Sequence, residues 1–113
     1  MKKEFKQTIW GYNYVCCIIK LNSVMLFMII EKFYPGKVKL LYERFNEKGR
    51  LLPEGVNYIN SWIDENVTIC YQLMESDSAE KIYEWLENWN EFAEFEVIPV
   101  ITSAEAKAKV FSQ

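Results

Sequence analysis

Between Met25 and Ile101 the spacing of apolar residues switches repeatedly between the strand period and the helical period, and this order limits the folds open to the chain. Met25-Leu-Phe-Met-Ile-Ile30 is a short continuous apolar run that ends at Glu31, Lys32 and Phe33. Its length suits a strand buried on both faces. Tyr34-Pro35-Gly36 then supplies turn chemistry. From Lys37 the period changes: Val38, Leu41, Tyr42 and Phe45 fall at i, i+3, i+4 and i+7, with Lys39, Glu43, Arg44 and Glu47 on the opposite side. This predicts an amphipathic helix continuing to Leu52, where Pro53-Glu54-Gly55 stops it. Gly49 either lets that helix approach a sheet closely or ends it as a C-cap.

Val56 to Ile63 and Val67 to Met74 are β-rich runs around Asp64-Glu65-Asn66 and read as an antiparallel hairpin. Asp77 offers a helix N-cap, with Glu80 at the capping-box position. Ile82, Trp85, Leu86 and Trp89 repeat at helical spacing down to Phe92. Phe95-Glu-Val-Ile-Pro-Val-Ile101 is the last strand, and Pro99 marks it as an edge strand or a bulged one. Residues 102–113 form a short helix or a frayed end. The order β-α-β-β-α-β is the ferredoxin-like split arrangement, an α+β fold. Both helices fall on one side of the sheet, so its other face needs an occupant.

Charge divides the chain at the start of this pattern. Lys2, Lys3, Lys6 and Lys20 face Glu4 alone in residues 1–24, whereas residues 25–113 carry nine basic and fifteen acidic groups. The basic start followed by Ile9, Trp10 and Val15 resembles a signal peptide, but Gly11, Tyr12, Asn13 and Tyr14 interrupt it and no A-x-A-like cleavage site follows. A membrane span read on to Ile30 would bury Lys20 at a cost of about 3 kcal/mol. Residues 1–24 are therefore expected to be an extension outside a domain of residues 25–106, with 107–113 as a tail. The expected location is the cytoplasm. The acidic body argues against nucleic acid and anionic membranes as partners.

Several phrases of the body resemble a known group. MLFMIIEKF (25–33), YERFNEKGRLLPEG (42–55), YINSWIDE (58–65), CYQLMES (70–76) and FEVIPVITSAEA (95–106) are similar to the bacterial family called domain of unknown function 3303. The resemblance implies a dimeric α+β barrel fold. It implies no catalytic residues, because the family's activity is unassigned.

The chemistry-bearing residues are few. The sequence has no His, which excludes His bases, His nucleophile partners and His metal ligands. Its three Cys, two of them adjacent, form neither a disulfide framework nor a C-x-x-C zinc pair. No cofactor loop of the Gly-rich kind is present, and the carboxylates are too dispersed to define a metal site. Cys70 reads as a small buried apolar group. Sorting the hairpin by parity puts Tyr58, Asn60, Trp62, Ile69, Tyr71 and Leu73 on one face. Tyr58, Asn60, Trp62 and Tyr71 are the candidate lining of a ligand site, or else simply pack against another sheet. Arg44 and Arg50 are the only arginines. Either can hold a carboxylate-bearing ligand, or pair locally with Glu43, Glu47 or Glu54.

Two functions fit. One is a homodimer closed through the open sheet face, binding a small apolar or aromatic ligand. The other is a non-catalytic dimeric scaffold or regulator. Base stacking on the open sheet, as in RRM domains, lacks both the basic charge and the aromatic run that it needs. Whether the protein is an enzyme is not legible in these residues.

Overall fold

The structure, a computed structural model, describes residues 24–112. The expected extension, apart from Val24, and Gln113 lie outside the described residues. Four strands and three helices follow in the order β1 (Met25–Phe33), α1 (Val38–Lys48), β2 (Val56–Ile63), β3 (Ile69–Ser76), α2 (Ala79–Leu86), β4 (Ala93–Val100) and α3 (Ser103–Phe111). The sheet order is β2-β3-β1-β4, with every neighbouring pair antiparallel. This is the ferredoxin-like α+β arrangement that the periodicity predicts.

Strand alternation sorts the sheet into two unlike faces. Phe27 and Ile29 of β1, Met74 of β3 and Val56 of β2 point toward the helices and form the core with Leu41, Ile82, Trp85, Leu86 and Trp89. Leu26, Met28 and Ile30 of β1 point the other way and are only half-buried. The expectation of burial on both faces of β1 therefore holds for one face within a single chain. On the open side, Ile98, Met28 and Leu73 stand in register across β4, β1 and β3, and beside them Ile30, Tyr71 and Trp62 across β1, β3 and β2.

Local chemistry explains the joints. Gly36 has φ 77° in the turn closed by the Lys37 amide on the Tyr34 carbonyl, as a type II turn with Pro35 requires. Helix α1 ends earlier than Leu52, because Gly49 takes φ 71° and its amide bonds the Phe45 carbonyl. Nothing lies within 4 Å of where a Gly49 Cβ would be, so it is a cap and no close approach. Helix α2 is capped by Ser78, whose side chain accepts from the Lys81 amide, and not by Asp77. Asp77 instead holds Lys81 through a 3.0 Å ion pair. The helix also ends at Leu86, and tight turns carry the chain from there to β4. The C-terminal stretch takes the helical form: Thr102 and Glu105 make a reciprocal capping box at the start of α3. No side chain of α3 is buried. None of these helices is long and apolar enough to cross a membrane.

Candidate functional site

An acidic residue lies in phase with the core on the central strand. Continuing the alternation of Phe27 and Ile29 places Glu31 on the helix side of β1, opposite Cys70 on β3 and Phe95 on β4. Gln72 stands on the same face, opposite Ile29. Glu31 and Gln72 are each only 9% exposed. Together with Phe95 they floor a cavity of about 60 Å³. Leu41 of α1, Trp85 and Leu86 of α2, and Trp89 just beyond it form the roof, with Arg50 at the side. At about 10–15 Å³ for one water, the space holds several waters or a small group of similar size.

The polar groups here are unevenly satisfied. Burial pushes the Glu31 carboxyl up to about 7, while a hydrogen bond from the Cys70 thiol pulls the other way. Glu31 therefore exists in both protonation states near neutrality, and its neutral form can donate a hydrogen bond. The Cys70 thiol is pushed up to about 12, by burial first and then by the charge and hydrogen bond of Glu31; the Arg50 charge opposes this. Tyr42 is raised by burial and by the charges of Cys70 and Glu31. The Gln72 side chain has no hydrogen-bond partner among the described residues, an unusual state for a buried amide. Cys70 is buried as a small free thiol, as the sequence reading has it, and it faces the buried acid across the two strands.

Arg50 is held by its backbone. Its carbonyl accepts from the indole N–H of Trp85 at 2.7 Å and of Trp89 at 3.2 Å. Both indoles therefore turn apolar ring surface toward the cavity and have no free donor. The next residue, Leu51, takes φ 61°, a strained conformation for a side chain of its size. The Arg50 guanidinium lies 3.5 Å from the Tyr58 ring centre and 5.0 Å from that of Phe45. It pairs with no carboxylate among the described residues, so the expected local partners Glu43, Glu47 and Glu54 are not used. Arg44 also ignores them. Its guanidinium donates to the Asn88 carbonyl, pairs with Glu91 at 3.2 Å and covers the Phe92 ring, fastening α1 to the turn after α2.

The residues read from the sequence as one lining are split between the two sheet faces. Asn60, Trp62 and Tyr71 lie on the open face, with Trp62 opposite Tyr71. Tyr58 lies on the helix side, opposite Met74 and bonded to the Ser61 hydroxyl at 2.7 Å. A register shift between Tyr58 and Asn60, with Ile59 as the extra residue, turns the strand over. Arg50 joins Tyr58, and Arg44 belongs with neither group. Glu31, Gln72 and the two tryptophans were not in that expected lining. The signal for Glu31 was parity: it continues the Phe27–Ile29 series. A broader depression of about 400 Å³ between α2 and β4 is open to solvent, and its polar residues, such as Glu87, Asn90 and Glu94, are exposed. Among the described residues no group of His, Cys, Asp and Glu side chains is arranged to hold a metal ion.

No curated protein and no solved structure matches the chain. A family model does match, over residues 25–112, from the first residue of β1 to the residue after α3. On that match, which takes in the sheet, all three helices and the cavity under the first two, the chain belongs to the family described as domain of unknown function 3303.

Proposed function

We propose that the protein binds a small molecule in the cavity between the sheet and α2, and that it does so as a homodimeric α+β barrel. The observation that carries the binding reading is the Gln72 amide, buried without a partner among the described residues and facing a cavity. A buried amide left unmatched costs about 1–3 kcal/mol, a cost recovered when a ligand or trapped water supplies the missing bond. Trp85, Trp89 and Phe95 supply apolar walls, and Glu31 and Gln72 supply a few polar atoms, the usual makeup of a small-molecule site. The ligand is thus apolar or aromatic in body with one polar end.

Gln72→Leu tests this. It is expected to melt at or above the temperature of the unmodified protein and to lose ligands found by following the Trp85 and Trp89 indole signals in a fragment screen. A large fall in melting temperature would mark Gln72 as structural, and fragments that bind Gln72→Leu unchanged would move the site elsewhere.

The dimer reading rests on the open sheet face. Met28, Ile30, Leu73, Ile98, Tyr71 and Trp62 make a continuous apolar field over all four strands, with Trp62 53% exposed. Helix α3 follows β4 and leaves Val110 and Phe111 exposed, so it can reach across to a second copy. Closed two-fold pairing covers such a field and leaves no open-ended association. The cytoplasm is the proposed compartment, with no nucleic acid or membrane as partner, since the body of the chain is acidic.

A further inference from the structure

We propose that the ligand of this cavity is a small carboxylate, one oxygen of its anionic group on the Arg50 guanidinium and the other on Glu31 and Gln72. The inference rests on the cavity being a binding site and adds the class of molecule that enters it. Arg50 is the reason for the sign of the charge. It is a permanent cation whose fork fits a carboxylate, and among the described residues no carboxylate claims it. Its position is prepared in advance: two indoles grip its carbonyl, and the rings of Tyr58 and Phe45 support the planar head. Its charge also acts on Cys70, the cross-strand neighbour of Glu31.

An anion beside a buried acid requires that acid to be neutral. Near neutrality a substantial share of Glu31 is so, because burial holds its carboxyl at about 7. Cys70 on β3 holds its proton, Tyr42 on α1 is an un-ionised phenol, and α2 and β4 present only Trp85, Leu86 and Phe95. Among the described residues, Arg50 is the one charged side chain that lines the cavity with Glu31. Binding and protonation of Glu31 are therefore linked, and carboxylate affinity falls as pH rises past about 7.

The test is an NMR titration of the full chain, reading the Trp85 and Trp89 indole resonances. The panel consists of short aliphatic and aromatic carboxylates, 3-methylbutanoate and benzoate among them, each paired with its primary amide. The carboxylates are expected to bind at least about tenfold more tightly than the amides at pH 6 and to weaken about tenfold per pH unit above 7. Arg50→Gln should remove the preference for carboxylates while the amides still bind. Glu31→Gln, which is neutral at every pH, should bind carboxylates with no pH dependence between 6 and 9. Equal binding of acids and amides, unaffected by Arg50→Gln, would overturn the carboxylate assignment and leave the cavity reading standing. If no member of the panel, acid or amide, moves the indole signals, both fall.

Discussion

Glu31 is placed on the core face at a cost to the fold, and that cost can be read against pH. Its carboxyl is raised from 4.5 in a solvated chain to about 7 in the native state. The native state thus holds the proton more tightly, so the neutral form adds no penalty below 4.5, and stability is lost as pH rises through 7. A shift of this size corresponds to a loss on the order of 3 kcal/mol between those limits. Urea unfolding at several pH values should show that decline, and Glu31→Gln should flatten it and be the more stable protein at pH 8. A stability profile of the unmodified chain that stays level from 5 to 8 would mean that the acid is solvated. Asp64, held below the usual carboxylate range by bonds from Thr68 and the Ile69 amide, acts only at lower pH and does not mask the effect. At this scale the sequence was half legible. Parity identifies which way Glu31 points, but whether a cavity or close packing meets it depends on how Trp85 and Leu86 land.

At the scale of elements, the hydrophobic periods identified the four strands and first two helices in order, because burial on one face is written into spacing. Their joints were less legible. Asp77 and Ser78 both suit an N-cap, and only the chain direction after Ser76 decides between them. Ser76 is buried, and its hydroxyl bonds the Ser78 carbonyl and amide, which sets Ser78 in the extended backbone of a cap. Ser78→Ala should therefore cost about 1 kcal/mol in thermal or urea unfolding. Asp77→Ala removes only an exposed ion pair and should cost less than half of that. The reverse order would restore Asp77 as the cap. Likewise the bulge at Ile59 left no mark in composition, so parity placed Asn60, Trp62 and Tyr71 together correctly and Tyr58 with them wrongly. The hairpin loop also runs from Asp64 to Thr68, longer than three residues, with Asp64 accepting the Thr68 and Ile69 amides at 2.7 Å each.

For the whole molecule, the dimer proposed through the open face can be tested in solution. Dimerisation through it predicts a two-fold mass in sedimentation at micromolar concentration, and Trp62→Glu should give a monomer or an aggregate. A chain beginning at Met25 should keep that dimer and melt within a few degrees of the full chain. A monomeric full chain whose shortened form aggregates would show instead that residues 1–24 serve as the cover. The carbonyl of Arg50, shared by the two indoles, has a kinetic corollary. Helix α2 and the turn after it cannot lift from the loop before β2 without freeing both donors in one event. The two indole protons should therefore trade with solvent deuterium at a common rate. That rate would clock the breathing of the roof, and an occupied chamber would slow both protons together.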